Sequence, residues 1–411
     1  MRTFNNMEDI LNNASGQEER PSWHVDTQCA NCHVDVQYGD YHVDIQCANW
    51  HVDLQYQNLL AHIIATGSFK EPARQNMKRT KSIFGYMMRF NMVHGFPLLT
   101  TKRMFIKGMI AELLWFLRGD TNIKYLNDNG VTKFWHEDCY RWYLRNFSHN
   151  FPAGAQPMTF EQWCKALSDD AFASKHGDCG LIYGHQWRHF AGQVDQIAMC
   201  IKRILETPAD RYKVVSAWNP ADMSKQALPA CHMLFQFNCR PATFEERLSH
   251  ALHKELLNVD IAQLNDDDTV AKIMDNLHVP TQWLDLSLTQ RSCDTCLGVP
   301  INIASYSLLL HLISVITNCL PGEFVWFGND VHIYEHHIDA AKEQLLRTPF
   351  DMPQLVIHKE HWHMPSRTEW LSNTSKTFDA FIKQVNIEDF EIVDYQHHPA
   401  IAYELCTGLK K

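Results

Sequence analysis

A cysteine and a histidine stand side by side in the stretch LPACHMLFQF, residues 228–237. The alternation of Met233, Phe235 and Phe237 predicts a strand with one buried face, which places Cys231 at the start of that strand. A cysteine there is either a small buried hydrophobic residue or a thiolate nucleophile held at a strand end. The stretch alone leaves both interpretations open, and its sequence context has to decide between them.

A second set of residues with reactive side chains lies in a repeat of nine residues within positions 23–55. The four units HVDTQCANC, HVDVQYGDY, HVDIQCANW and HVDLQYQN begin at His24, His33, His42 and His51. They are too short for solenoid repeats and lack the glycines of calcium-binding nonapeptides. We predict either short strands or a duplicated, poorly ordered tail. Haem attachment through the string CANCH and zinc binding by Cys29, Cys32, His33 and Cys47 fit the ligand types, but a variable appendage is favoured.

The composition limits the classes of function. With 411 residues and 45% hydrophobic content, the chain can form one large core or two ordinary ones. A net charge of −10 argues against nucleic acid as a partner, because affinity for it comes from basic patches. The 13 cysteines form no regular framework and no secretory signal is evident, which predicts a reducing, cytoplasmic location. We expect no membrane-spanning helix and no membrane partner.

The elements that would position Cys231 include both helices and strands. Helices are predicted for NLLAHIIATG, FIKGMIAELLWFLRG and INIASYSLLLHLISVITNCL, and strands for SIFGYMMRFNM, RYKVVSAWNP, CHMLFQFNC and LDLSLTQRS. Polar segments at about 145–178 and 241–282 are predicted to be insertions. Because strands and helices do not strictly alternate, we predict an α+β fold. The predicted organisation is an extension over 1–55 and a catalytic domain over 56–411.

Several long motifs of the chain occur in one characteristic order. They are FPLLTTKRMFIKGMIAELLWFLRGDTN, GDCGLIYGHQW, LPACH, QRSCDTCLGVPINIASY and WFGNDVHIYEHH. This set resembles the thymidylate synthase superfamily, which includes thymidylate synthase and the phage-type deoxypyrimidylate hydroxymethylases. The resemblance implies an α+β fold with a large mixed sheet and a long central helix, and a homodimer formed through the sheet face.

The resemblance also implies the chemistry of four residues. Cys231 would add to C6 of a pyrimidine ring, so that C5 attacks the one-carbon unit of 5,10-methylenetetrahydrofolate, with no metal. Asn302 matches the residue that reads the O4 and N3 edge; an amide suits uracil, so we expect dUMP rather than dCMP. Glu112 matches the acid that shuttles protons near O4, and Tyr183 the tyrosine implicated in removal of the C5 proton.

Further positions match ligands of the nucleotide and the reduced folate. The resemblance assigns Arg291 and Ser292 to the phosphate, Arg211 to the phosphate across a dimer interface, His332 and Tyr334 to the sugar hydroxyl, and Asp294 and Trp135 to the folate. Guanidinium groups suit phosphate because they bind two oxygens at once. They would also favour a thiolate at Cys231.

The chain departs from the family pattern at the phosphate loop, in the approach to the folate-side tryptophan and in the C-terminal tail. Arg74 is the best match to the loop arginine, with Lys78 and Arg79 as alternatives. One residue too many in GVTKFW leaves Phe134 as an alternative to Trp135. The segment HHPAIAYELCTGLKK runs about four residues beyond the usual tail.

These departures bear on the product. A closed, dry site lets the folate deliver hydride and form a methyl group, whereas water in an open site forms hydroxymethyl. We therefore predict hydroxymethylation of dUMP, which would suit a phage enzyme acting in the host cytoplasm. The alternative is a thymidylate synthase that makes dTMP and dihydrofolate. A minor alternative is an inactive homologue that binds RNA or another partner through residues 23–55.

Overall fold

The structure is a computed structural model that describes residues 24–26, 33–38, 41–46, 50–72, 77–150, 154–254, 256 and 267–405. The chain divides into two compact units, Met1–Asn49 and Trp50–Lys411. Arg74, the predicted loop arginine, lies outside the described residues. So do Cys29, Cys32 and Cys47 of the possible zinc set, and residues 406–411 of the tail.

The first unit contains a three-stranded antiparallel sheet formed by the nonapeptide repeats. Its strands are β1 (His24–Asp26), β2 (His33–Tyr38) and β3 (Tyr41–Gln46). The register pairs equivalent positions of successive units: Asp26 lies opposite Asp35, and Asp35 opposite Asp44. An alternation of aliphatic and polar residues has the period of a strand. Short strands, one of the two predicted forms of the repeats, are thus what these three units adopt.

The fourth repeat has a different structure, because it begins helix α1 (Val52–Thr66) of the second unit. The Nδ1 atom of His51 accepts a hydrogen bond from the backbone N–H of Asp53 at 3.2 Å and so caps the helix. Val52 and Asp53 are completely buried. The predicted boundary at residue 55 therefore falls inside a helix, and the second unit begins at Trp50.

Helices surround the core of the second unit. They are α1, α2 (Ile106–Leu117), α3 (Lys124–Asp128), α4 (His136–Asn150), α5 (Phe160–Ala166), α6 (Asp170–His176), α7 (Tyr183–His189), α8 (Gln196–Glu206), α9 (Phe244–His253), α10 (Asp267–Asn276), α11 (Gly298–Thr317), α12 (Ile338–Leu345), α13 (Arg367–Ser372) and α14 (Thr374–Ile382). The three predicted helices correspond to α1, α2 and α11. Helices α2 and α11 are buried along most of their length. Helix α11 is long and apolar enough to cross a membrane, but 83% of its most apolar window is buried inside the protein. That burial is typical of a core helix.

A six-stranded mixed sheet lies at the centre of this unit, in the order β4-β5-β9-β8-β7-β6. Its strands are β4 (Ser68–Lys70), β5 (Thr80–Asn91), β6 (Val214–Ser216), β7 (His232–Pro241), β8 (Gln282–Asp294) and β9 (Leu320–Tyr334). Strands β8 and β9 pair in parallel, and α11 makes the crossover that a parallel pair requires. A two-stranded sheet joins β10 (Gln354–Ile357) and β11 (Phe390–Val393). The predicted α+β fold with a large mixed sheet and a central helix is confirmed.

The two polar segments predicted as insertions fold into short helices. The segment 145–178 holds the end of α4 with α5 and α6, and Thr159 starts α5 with a capping box. The segment 241–282 holds α9 and α10. These two helices enclose a small core of Ala251, Val270, Met274 and Val279, which is separate from the main core. Both segments therefore have local structure of their own.

Candidate active site

Cys231 immediately precedes β7 and lies between Tyr183 and Arg291. The backbone N–H groups of Cys231 and His232 donate to the Tyr183 hydroxyl at 2.7 and 3.2 Å. The backbone N–H of Arg291 donates to the carbonyl of Cys231 at 2.8 Å. Cys231 is half-buried and carries no disulfide. The strand end thus holds the cysteine backbone from two sides while its thiol stays within reach of a ligand.

The Arg291 side chain fixes the electrostatics around this thiol. Its Nη2 atom lies 3.8 Å from the Cys231 sulfur. Its Nε donates to the carbonyl of Ala230 at 2.8 Å and its Nη2 to that of Pro229 at 2.9 Å. The guanidinium also lies over the Trp218 ring, 5.4 Å from the centroid. A cation held this close favours the thiolate form of a cysteine.

Glu112 is the acid within the apolar helix α2, and the Trp135 indole contacts it directly. The indole Nε1 donates to Oε1 of Glu112 at 2.7 Å. Burial raises the pKa of Glu112 to about 7, and the hydrogen bond from Trp135 opposes this shift. The Trp135 ring also lies edge-on to Tyr183 at 5.9 Å, whereas Phe134 packs edge-on against Phe105 at 5.9 Å. Of the two predicted alternatives, it is Trp135 that lies beside Glu112.

Asn302 in helix α11 is held by a buried polar network. Gln290 Nε2 donates to Asn302 Oδ1 at 3.0 Å, and Trp326 Nε1 donates to Gln290 Oε1 at 3.0 Å. The amide of Gln290 is thereby oriented, and it orients Asn302 in turn. Asn302 also hydrogen-bonds to His232, but burial dominates and lowers the pKa of His232 to about 4. His232 is therefore neutral at physiological pH.

The ends of β8 and β9 bring together four predicted ligands, namely Ser292, Asp294, His332 and Tyr334. The parallel register pairs Ser292 with Asp330 and Asp294 with His332. The Nδ1 atom of His332 lies 3.1 Å from the carbonyl oxygen of Asp330 and 3.5 Å from its Oδ1. The hydrogen bond from His332 holds the pKa of Asp330 at about 2, so that its carboxylate orients the imidazole. Parallel pairing thus gathers residues that are about 40 positions apart in sequence.

The other predicted phosphate cations lie in different surroundings. Arg211 is exposed ahead of the edge strand β6, and its carbonyl accepts a hydrogen bond from Gln236 at 3.0 Å. Arg79 pairs with Glu335 through two contacts, at 2.5 and 2.7 Å. Arg291 is therefore the predicted phosphate ligand that the structure places beside Cys231.

The structure adds two polar residues to the site that the sequence analysis did not single out. Gln290 positions Asn302, and Lys102 is buried with its Nζ donating to the carbonyl of Cys296. Burial lowers the pKa of Lys102 to about 8. The sequence carried a signal for both residues, because Lys102 lies in the family motif FPLLTTKRM and Gln290 in QRSCDTC. The alternation of β8 also places Gln290 on a buried face.

Comparison with known proteins tests the predicted family. A family model described as thymidylate synthase matches residues 54–407. The chain belongs to the thymidylate synthase family. The match includes both helical insertions and every predicted site residue, so the family assignment covers the whole site.

Relatives in this family are similar over nearly their whole length. The thymidylate synthase of Mycoplasma genitalium is 37% identical over 346 residues, which are 84% of this chain and 97% of the relative. That of Mycoplasma mobile is 39% identical over 352 residues, 86% of this chain and 99% of the relative. That of Coxiella burnetii is 39% identical over 326 residues, 78% of this chain and 88% of the relative.

Family membership confirms the predicted enzyme class and cosubstrate. Thymidylate synthases are folate-dependent C5 one-carbon transferases that act on dUMP and use methylenetetrahydrofolate as cosubstrate. In the part of the chain that the structure describes, no cluster of three or more histidine, cysteine, aspartate or glutamate side chains could hold a metal ion. The predicted hydroxymethyl product is not supported, since these relatives are named for the alternative reaction.

Proposed function

We propose that this enzyme methylates dUMP at C5, converting methylenetetrahydrofolate to dihydrofolate and releasing dTMP. The observation that carries the proposal is the placement of the Cys231 thiol 3.8 Å from the Arg291 guanidinium, at a strand end held by Tyr183. The family and the names of its relatives support the methyl product over hydroxymethyl. The burial of Glu112 and Trp135, which are 8% and 6% exposed, supports it too, because a site that excludes water favours hydride transfer over addition of water.

Cys231 is the proposed nucleophile. Its thiolate adds to C6 of the uracil ring, and the electron pair released at C5 forms a bond to the one-carbon unit of the folate. The C5 proton then leaves, and the bond between the one-carbon unit and N5 of the folate breaks, which leaves an exocyclic methylene on the ring and tetrahydrofolate beside it. Hydride from this tetrahydrofolate adds to the methylene to complete the methyl group while the C6–sulfur bond breaks, which gives dTMP, dihydrofolate and the free thiolate. Arg291 stabilises the starting thiolate and binds the nucleotide phosphate with Ser292.

Two buried groups handle protons at the ring. Glu112 has a pKa of about 7, so it can carry or release a proton near O4 at physiological pH. Burial, and next the charge of the Cys231 thiolate, raise the pKa of Tyr183 above its ordinary range. Tyr183 therefore stays a neutral phenol and can order the water that receives the C5 proton.

Asn302 is the proposed reader of the pyrimidine edge. We expect Asn302→Asp to lower kcat/KM for dUMP by at least about tenfold and to raise that for dCMP, because a carboxyl group complements the cytosine edge. Kinetics with both nucleotides measure this change. Asn318→Asp, at the exposed end of the same helix, is the matched control and should leave both values unchanged. An unchanged preference in Asn302→Asp would assign base recognition to another residue.

A homodimer through the sheet face is part of the proposal. Met87 and Phe327 lie opposite each other in β5 and β9 and are 50% and 40% exposed. An apolar patch of this kind on a sheet face is typical of a subunit interface. Association through it would let Arg211, which is exposed in one chain, reach the phosphate of the partner's site.

A product assay tests the proposed reaction. The enzyme is incubated with dUMP and methylenetetrahydrofolate, the nucleotide is identified by mass, and the folate is identified by absorbance. We expect dTMP and dihydrofolate in equal amounts. Hydroxymethyl-dUMP with tetrahydrofolate would overturn the methyl product, and no product with either dUMP or dCMP would favour the inactive homologue.

A further inference from the structure

The carboxylate of Asp53 is completely buried in the first turn of α1, where an unpaired charge would be costly. Its Oδ2 accepts hydrogen bonds from the N–H and the hydroxyl of Thr100, at 2.9 and 2.8 Å. Its Oδ1 accepts from the N–H and the hydroxyl of Thr101, at 3.0 and 2.5 Å. All four donors belong to two successive residues, so the carboxylate fixes the loop that leads into Lys102.

A chain of hydrogen bonds continues from this loop to the C-terminal segment. The Nε2 of Gln344 donates to the hydroxyl of Thr101 at 2.9 Å, and the hydroxyl of Tyr403 donates to Oε1 of Gln344 at 2.9 Å. Followed from Tyr403 to Asp53, each group donates to the next. The carboxylate at the end accepts without donating, and this gives the whole chain one direction. Thr101 and Gln344 are completely buried, so water does not compete with these bonds.

The segment 398–405 contacts the same loop at further points. The N–H of His398 donates to the carbonyl of Thr100 at 2.8 Å. Arg347 Nη1 donates hydrogen bonds to the carbonyl of Thr101 at 2.8 Å and to the carbonyl of Pro399 at 2.7 Å, and so links the loop to the segment. The Lys102 amine lies 4.8 Å from the centroid of the Tyr403 ring. The loop is thus the surface on which this segment rests.

We propose that Asp53 is a positioning residue for the folate side of the active site. It holds residues 100–102 so that the segment 398–405 closes over Lys102, next to the turn after Asp294. Asp53 acts through Thr101 and does not touch substrate. The effect on folate rests on the proposed function, whereas the effect on the segment does not. The fourth repeat thereby has a task within the second unit.

The test compares Asp53→Asn with Asp44→Asn, which changes the same position of the preceding repeat in β3. In Asp53→Asn the amide NH₂ faces the donors of one threonine, so half of the contacts are lost at constant shape. We expect backbone amides of residues 398–405 to exchange hydrogen about tenfold faster than in the wild type. We also expect KM for methylenetetrahydrofolate to rise about fivefold while kcat changes less than about twofold. Asp44→Asn should match the wild type in hydrogen exchange of residues 398–405 and in the kinetic constants.

A double-mutant cycle separates positioning from general loss of stability. Tyr403→Phe removes the hydroxyl at the other end of the chain of hydrogen bonds. The KM of the double variant Asp53→Asn/Tyr403→Phe should exceed that of either single variant by no more than about twofold. Additive effects, or an Asp53→Asn variant that exchanges like Asp44→Asn, would overturn the proposal. If Asp53→Asn fails to fold, unchanged exchange and unchanged KM in Tyr403→Phe overturn it. If the wild-type enzyme forms no product, the proposed function is refuted. Hydrogen exchange of residues 398–405 still tests the positioning role of Asp53 in that case.

Discussion

Replacement of Cys231 by alanine is expected to lower the rate of dTMP formation by at least about 10⁴-fold, because it removes the thiolate that activates C5 by addition at C6. The substitution deletes one sulfur atom at a half-buried position. The hydrogen bonds from the backbone of Cys231 and His232 to Tyr183 do not involve that atom and should persist. The measurement is release of the C5 proton of dUMP, monitored with tritiated substrate in the presence of methylenetetrahydrofolate.

Cys239→Ala is the matched control for this variant. Cys239 lies within β7, the strand that Cys231 immediately precedes; it is also half-buried and carries no disulfide. We expect it to retain activity within about twofold. Cys231→Ala should still bind dUMP, because Arg291 and Asn302 remain, and calorimetry measures this. Turnover that survives in Cys231→Ala would refute covalent catalysis by this residue.

The second large effect is expected for Glu112→Gln, which should lower kcat by about 10²–10³-fold. Glutamine can still accept the hydrogen bond from Trp135, but it cannot exchange a proton. Burial raises the pKa of Glu112 to about 7, so a rate that requires the protonated acid falls as the pH rises through about 7. A pH profile of kcat measures both effects, and this ionisation should be missing from the profile of the variant.

The same pKa predicts a difference in stability. Because the pKa of Glu112 in the folded state lies above its ordinary value of 4.5, the folded state holds a proton that the unfolded state releases between these values. This contribution to stability is complete below pH 4.5 and is lost as the pH rises through about 7. Melting curves should therefore show a larger fall in Tm over this range for the wild type than for Glu112→Gln.

Asp120→Asn is the matched control for the rate profile. Asp120 lies shortly after α2, and burial raises its pKa as well. Its carboxylate accepts a hydrogen bond from the backbone N–H of Asn122 at 2.9 Å, a contact that an asparagine side chain can keep. We expect an unchanged pH profile of kcat. A Glu112→Gln variant that keeps the ionisation near pH 7 would assign it to a different group.

The nonapeptide repeats show where local sequence was insufficient. Four nearly identical units carry the same alternation, and three of them form strands while the fourth begins α1. The difference comes from the residues after the start of the fourth unit, where Leu59, Leu60 and Ile63 recur at helical spacing and are completely buried in the core. Tertiary packing of this apolar face overrides the strand preference of the unit itself.

The product prediction shows a similar limit. The extra residue in GVTKFW and the lengthened tail suggested an open site and water as the terminating nucleophile. Family membership and the names of the relatives favour the methyl product instead, and the end of the tail, residues 406–411, lies outside the described residues. Insertions of single residues in loops change the sequence pattern strongly, but the loop can absorb them without moving the buried side chain.

The sequence by itself determined the family, the α+β class and the residue types of the site, because nucleophile, base reader and phosphate ligand each require a particular functional group within an ordered motif. Only the tertiary structure decided how these groups are placed. The parallel pairing of β8 and β9 sets His332 beside Asp294, and burial sets the pKa of Glu112. Asp53 reaches Thr100 and Thr101 only because α1 packs on their loop. Distances and burial depend on contacts between distant segments, and no local pattern of residues encodes them.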